Sequence, residues 1–216
     1  MRIFLDTANI DQIKQAAKLG IISGVTTNPS LVSQEKATDY EATIKEICSV
    51  IPGPISVEVL VEGVELMIEQ ARQISTWASN IVIKIPATTE GLEATSTLAK
   101  EGIKVNFTLC FSLNQALLGA LSGATFVNPF VGRLDDAGHN GMEVVEDMVE
   151  VFKHYQLPTQ VIAASIRHPQ HCVAAAKAGA HIATVPHNVL MQMIRHPLTD
   201  IGISRFLSDW QRVSQR

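Results

Sequence analysis

Short apolar runs alternate with longer amphipathic segments along all 216 residues of this chain. The runs occupy 3–5, 24–26, 55–59, 81–85, 105–109, 125–127, 161–165 and 182–185. Between them lie helical patterns such as 11–19, 63–77 and 141–155. In the second of these, Val64, Met67, Ile68, Ala71 and Ile74 recur at helical spacing. Eight strand–helix units in this length predict an α/β fold, a (β/α)8 TIM barrel forming one domain over 1–216. A doubly wound open sheet is the structural alternative. No glycine-rich phosphate loop of the GxGxxG or Walker type occurs, which favours the barrel. Gly20, Gly102, Gly123 and Gly179 each stand where a helix should end and the next strand begin. A further helix, over about 199–213, carries Ile203, Phe206, Leu207 and Trp210 on one stripe. That stripe needs cover, either from the barrel wall or from a neighbouring subunit.

Composition removes several functions. The net charge is −4 and aromatics are 5%, so neither bulk electrostatics nor stacking platforms point to nucleic acid. No apolar run reaches membrane-spanning length. The opening Met1-Arg2-Ile3-Phe4-Leu5-Asp6 enters a strand pattern at once, without signal-peptide architecture. Three widely spaced cysteines, Cys48, Cys110 and Cys172, imply no disulfide framework and read as small core residues. The expectation is a cytoplasmic protein.

Lys84 is the residue that speaks most directly of chemistry. It stands in Asn80-Ile81-Val82-Ile83-Lys84-Ile85-Pro86, where burial would favour the neutral amine that attacks carbonyls. The bland alternative sets Ile81, Ile83 and Ile85 on one side while Lys84 snorkels from a strand end. Barrels keep their active sites at the C-terminal ends of the strands. Those ends supply Asp6 and Thr7, then Thr26, Thr27 and Asn28, then Glu58, Lys84, Asn106 and Thr108. Asn128, Phe130 and Arg133 follow strand six, and Ser165 and Arg167 end strand seven. Asp6, Glu58 and Lys84 each interrupt an apolar run, and buried charges are costly unless they compensate one another. One cation and two carboxylates suit Schiff-base carbonyl chemistry. Lys84 forms the imine, one carboxylate deprotonates a substrate hydroxyl, and the other moves protons through water. Arg133 and Arg167 make a natural phosphate clamp. The bland alternative for them is a pair of rim salt bridges.

His168-Pro169-Gln170-His171 looks like a ligand pair, but Pro169 reads as a helix start and no carboxylate supplies an obvious third ligand. His181, His187 and His196 are isolated, so no metal is expected. Asp135 and Asp136 read as a solvated loop or as partners for Arg133.

With those residues in order, the chain resembles the transaldolase family, in its short single-domain branch. The resemblance rests on Phe4-Leu5-Asp6-Thr7-Ala8, Gly24-Val25-Thr26-Thr27-Asn28-Pro29-Ser30 and Val57-Glu58-Val59. It continues through Ile83-Lys84-Ile85-Pro86-Ala87-Thr88, Asn106-Phe107-Thr108-Leu109, Pro129-Phe130-Val131-Gly132-Arg133 and Ala163-Ala164-Ser165-Ile166-Arg167. It implies a metal-independent, cofactor-free Schiff-base enzyme of the pentose phosphate pathway. Such an enzyme moves a dihydroxyacetone unit between sugar phosphates. Lys84 resembles the imine-forming lysine, Asp6 the acid/base, and Glu58 with Thr108 the holders of a proton-shuttling water. Asn28 resembles the dihydroxyacetone contact, and Arg133, Ser165 and Arg167 the phosphate contacts. The resemblance also implies a homo-oligomer, a pentamer or decamer. A near relative, fructose-6-phosphate aldolase, typically has glutamine in place of Glu58 and tyrosine in place of Phe130. Asn128 stands where serine is common, which bears on the donor range. Two other classes remain open: a phosphosugar isomerase in which Lys84 acts only as a charge, and a sugar-phosphate-binding or assembly subunit.

Overall fold

The computed structural model describes residues 1–35 and 39–214. Its strands are β1 (Arg2–Asp6), β2 (Ile22–Thr26), β3 (Ile55–Glu58), β4 (Ile81–Pro86), β5 (Val105–Cys110), β6 (Phe126–Pro129), β7 (Gln160–Ala163) and β8 (Ile182–Val185). Each pairs in parallel with its successor, and β8 pairs with β1, so the sheet closes. An open sheet would leave β1 and β8 as edges. The fold is the (β/α)8 barrel that the alternation predicts.

Helices α1 (Ile10–Ala17), α2 (Pro29–Gln34) and α3 (Tyr40–Val50) follow the first two strands, and α4 (Val64–Ser75) and α5 (Thr89–Lys100) follow the next two. Then come α6 (Leu113–Leu121), α7 (Val131–Asp136), α8 (Gly141–His154), α9 (Pro169–Lys177), α10 (His187–Met193) and α11 (Pro197–Ser214). Asn9, Asn28, Asp39, Thr88 and Ser112 each cap the helix that follows by accepting a backbone N–H with the side chain. Such a cap is worth about 1 kcal/mol. Gly20, Gly102, Gly123 and Gly179 all adopt positive φ, as expected of glycines that stop helices.

The period of two along each strand divides the core. Outward residues such as Leu5, Val25, Val57, Ile83, Phe107 and Val161 pack beneath the helices. Inward, Phe4, Val82, Phe126, Ile162 and Ile182 form a separate apolar plug inside the barrel. Phe4 and Phe126 meet edge to face at 6.4 Å. A Cβ on Gly24 would come within 2.7 Å of the Phe4 ring, so β2 yields its space to that side chain. The plug determines where the chemistry sits. Two residues beyond Phe4, Val82, Phe126, Ile162 and Ile182 come Asp6, Lys84, Asn128, Ala164 and Thr184. Each therefore points into the barrel one layer nearer the mouth.

Some boundaries differ from expectation. The sixth strand extends through Asn128 and Pro129, so Asn128 is part of the barrel wall. The last helix starts at Pro197, a residue suited to a first turn because its missing N–H is not needed there. No residue of α11 is buried: Phe206 is 73% and Trp210 68% exposed. The barrel wall does not bury the apolar stripe of this helix.

Candidate active site

One cavity opens at the C-terminal end of the barrel. It is lined by Asp6, Thr26, Asn28, Lys84, Asn128, Phe130, Arg133, Ser165 and Arg167, with Ala164, Ile166, Thr184 and Pro186. Nine of these are residues that the sequence singles out. Of the other predicted site residues, Glu58 and Thr27 bond to Lys84, while Asn106 and Thr108 stand buried on β5 beside it.

Lys84 is 2% exposed and does not snorkel. Ile81, Ile83 and Ile85 do share the opposite face, buried towards the helices, so that half of the bland alternative holds. The Lys84 ammonium donates to the Thr27 carbonyl at 3.0 Å and to Glu58 Oε2 at 2.9 Å. Glu58 is the direct cross-strand neighbour of Lys84 in the β3–β4 ladder. The pair is thus built by register, and Glu58 touches the lysine itself. Thr27 is fixed in turn by donating its hydroxyl to the Ser56 carbonyl at 2.9 Å.

Asp6 accepts from the Thr26 hydroxyl at 2.7 Å. Burial raises its carboxyl above the ordinary range; the Thr26 bond and the Lys84 charge oppose that rise, and Glu58 adds to it. Beyond Thr26, a second hydroxyl, that of Thr184, lies 2.6 Å away.

On β5, Asn106 is the register partner of Lys84 and donates to the Ser56 hydroxyl at 3.1 Å. Asn106 Oδ1, Thr108 Oγ1 and Asn128 Oδ1 are buried with no hydrogen-bond partner among the described residues. Buried polar atoms of this kind cost about 1–3 kcal/mol each until something pairs with them. Leu109, next to Thr108, holds φ at 53°, where the β5–β6 register shifts. Asn28 spends Oδ1 on the α2 cap, leaving its amide N–H groups for the cavity.

The opposite rim carries the arginines. The Arg133 guanidinium lies 4.8 Å from the Phe130 ring centroid and makes no ion pair among the described residues. Phe130 also meets Phe111 edge to face at 5.8 Å. Arg167 pairs with Asp136 at 2.7 Å, both side chains more than half exposed. The aspartate pair therefore does not serve Arg133. Asp136 takes Arg167, while Asp135 caps Gly141 at 2.9 Å and meets His171 Nε2 at 3.1 Å. His171 Nδ1 accepts from the Arg167 backbone N–H at 3.3 Å, so this histidine ties the β7 loop to α7. Burial, first, and the neighbouring His168 hold His171 below the usual imidazole range. Among the described residues no group of histidines, cysteines and carboxylates is arranged to hold a metal. Ser165 sits at φ 56°, and Gly132 donates its N–H to the Ser165 carbonyl at 3.1 Å. A Cβ on Gly132 would stand 2.2 Å from that carbonyl and 2.6 Å from Arg167 Nε. Glycine is the residue that lets Arg167 lie there.

The chain matches the transaldolase/fructose-6-phosphate aldolase family over residues 3–216. It belongs to that family. It is 61% identical to a probable transaldolase of Dehalococcoides mccartyi and 60% identical to one of Desulforudis audaxviator, over the full length of both partners in each comparison. Among solved structures it resembles a thiamine phosphate pyrophosphorylase from Pyrococcus furiosus (TM-score 0.59, 13% identity, 86% of this chain and 85% of that one). It also resembles a structure described as native KDPGal (TM-score 0.59, 15% identity, 85% and 80%). At those identities the likeness is one of fold alone.

The sequence missed Thr184, Ser56 and the Asp136–Arg167 pair. Thr184 carries the same signal as Asp6, a polar residue interrupting an apolar strand. No helix of the described residues is long and apolar enough to cross a membrane. All three cysteines are free; burial pushes the Cys110 thiol up to about 12 and those of Cys48 and Cys172 up to about 11, away from nucleophilic use.

Proposed function

We propose that this chain is a transaldolase working through a Schiff base on Lys84. It would carry dihydroxyacetone from fructose 6-phosphate or sedoheptulose 7-phosphate to erythrose 4-phosphate or glyceraldehyde 3-phosphate. The observation that carries the reading is a buried lysine ion-paired to one carboxylate, with a second carboxylate in the same cavity. Glu58 is placed to take the ammonium proton, leaving an amine that adds to the ketone carbon. The carbonyl oxygen is protonated and leaves as water, giving the iminium. Asp6 then accepts the proton of the hydroxyl beside the scissile carbon–carbon bond. That bond breaks, its electron pair moves into the iminium, and an aldose phosphate departs. The enamine adds to the acceptor aldehyde, Asp6 returns the proton, and water releases the product from Lys84. Asn28, Asn106, Thr108 and Asn128 offer hydrogen bonds to the sugar hydroxyls. Arg133, Ser165 and Arg167 would hold the phosphate.

Two positions favour transfer over simple cleavage. Phe130 brings no hydroxyl to the cavity, so nothing at that position can protonate the enamine and free dihydroxyacetone. Glu58 occupies the lysine directly. A paired assay with fructose 6-phosphate, with and without erythrose 4-phosphate, tests the reading. Product formation should require the acceptor, and equal product without it would make the protein an aldolase. Phe130→Tyr with Glu58→Gln should raise acceptor-independent release of dihydroxyacetone.

The reading extends to assembly and place. The exposed stripe of α11, with Ile203, Phe206, Leu207 and Trp210, fits burial against a second copy in a homo-oligomer. Three unpaired cysteines fit a cytoplasmic location in a pentose phosphate pathway.

A further inference from the structure

We propose that Thr184 is a positioning residue for Asp6, acting through Thr26 as the outer end of a two-hydroxyl wire. The inference rests on the reading of Asp6 as the acid/base of the reaction. The geometry sets the direction of each hydrogen bond. Thr26 has one hydroxyl proton and gives it to Asp6 Oδ1 at 2.7 Å. Its 2.6 Å contact with Thr184 is therefore a bond in which Thr184 donates and Thr26 accepts. Thr184 and Thr26 are both buried, on β8 and β2, the two strands that flank β1.

When Asp6 takes a proton on Oδ2, Oδ1 still accepts from Thr26; when it takes one on Oδ1, both bonds turn. In the second case the carboxylic acid donates to Thr26, Thr26 donates to Thr184, and the Thr184 proton swings towards the cavity it lines. In the state with Asp6 ionised, Thr184 polarises the Thr26 hydroxyl and strengthens its bond to the carboxylate. Among the described residues, the charged groups that face Asp6 are Lys84 on β4 and Glu58 on β3; its flanking strands bring the Thr26 and Thr184 hydroxyls to this side. Arg133 and Arg167 stand on the far rim of the same cavity. Packing alone does not call for a threonine here, because valine would fill the same volume. During turnover the proton passes from the substrate hydroxyl to Asp6 and back, and the wire neither gains nor loses a proton.

The test compares Thr184→Val, which deletes the hydroxyl, with Thr184→Ser, which keeps it. The carboxyl titration of the free protein is followed by infrared difference spectroscopy, and the Asp6 band is identified by its loss in Asp6→Asn. Thr184→Val should raise the Asp6 midpoint by about half a pH unit, the share of one weakened hydrogen bond. The acidic limb of the kcat profile should move by the same amount, with KM little changed. Thr184→Ser should titrate like the unsubstituted protein. If Thr184→Val fails to fold by circular dichroism, Thr184→Ala carries the same comparison. An unmoved midpoint in the hydroxyl-free variant overturns the inference, as does a Thr184→Ser variant displaced as far as Thr184→Val. A moved midpoint in a protein that transfers nothing between sugar phosphates supports the wire and sinks the transaldolase reading. Transfer with an unmoved midpoint does the reverse.

Discussion

The two sides of the cavity are built differently. On the side formed by β8, β1, β2, β3 and β4, every charged group is matched by protein: Lys84 by Glu58 and the Thr27 carbonyl, Asp6 by Thr26. Those bonds are shielded, and strand register sets them. On the side formed by β6 and β7, Arg133 lies over an aromatic ring and Arg167 holds an exposed aspartate. The first side has its hydrogen bonds in place before substrate arrives, as groups that move protons and form covalent bonds require. The second side is wet and exchangeable, which suits an anchor that must bind and release a phosphate. An exposed ion pair such as Arg167–Asp136 is worth only about 0–1 kcal/mol, so an incoming dianion can displace it.

If the contrast holds, substitutions on the shielded side should change kcat and those on the arginine side KM. The largest effect belongs to Lys84→Met, which should reduce transfer by about a thousandfold or more in steady-state assays, since no other amine lines the cavity. Near-normal turnover there would break the comparison outright. Asp6→Asn comes next, with a loss in kcat of about a hundredfold to ten-thousandfold.

The same Asp6 substitution sharpens the comparison through stability. The folded protein holds the Asp6 carboxyl above its ordinary range, so it binds that proton more tightly than the unfolded chain does. The stability linked to the group is complete below the ordinary aspartate pKa and is lost as pH rises through the folded value. Asp6→Asn should therefore melt higher than the unsubstituted protein at neutral pH, and the gap should close in acid. Parallel melting curves across the pH range would remove the burial argument.

On the arginine side, Gly132→Ala should push Arg167 aside and raise KM for phosphorylated donors about tenfold, with a smaller change in kcat. A fall in kcat at constant KM would place Arg167 with the reacting groups. The smallest effect is expected from Asp136→Asn. Releasing Arg167 from its exposed partner should lower KM by up to about fivefold.

How much of this could be read in advance follows the same divide. Alternation along each strand fixes which side chains face inward, and strand order places their ends on one rim. Asp6, Lys84 and Asn128 were legible for that reason. Contacts set by register between strands were not. That Glu58 touches Lys84 directly depends on β3 and β4 aligning those two residues, and no local pattern encodes it. Thr184 is legible in kind, as a polar residue in an apolar strand, but its bond to Thr26 depends on β8 and β2 flanking β1. The Arg167–Asp136 pair joins the loop after β7 to the end of α7, where neither period nor propensity gives a distance. The α11 stripe announced an apolar face, yet not which surface covers it.

The most direct measurement is reductive trapping. The protein is incubated with fructose 6-phosphate and borohydride, digested, and its peptides weighed by mass spectrometry. A reduced dihydroxyacetone adduct on Lys84 is predicted, absent without substrate and absent in Lys84→Met. An active protein that yields no adduct, or one that carries it on another lysine, would contradict the account.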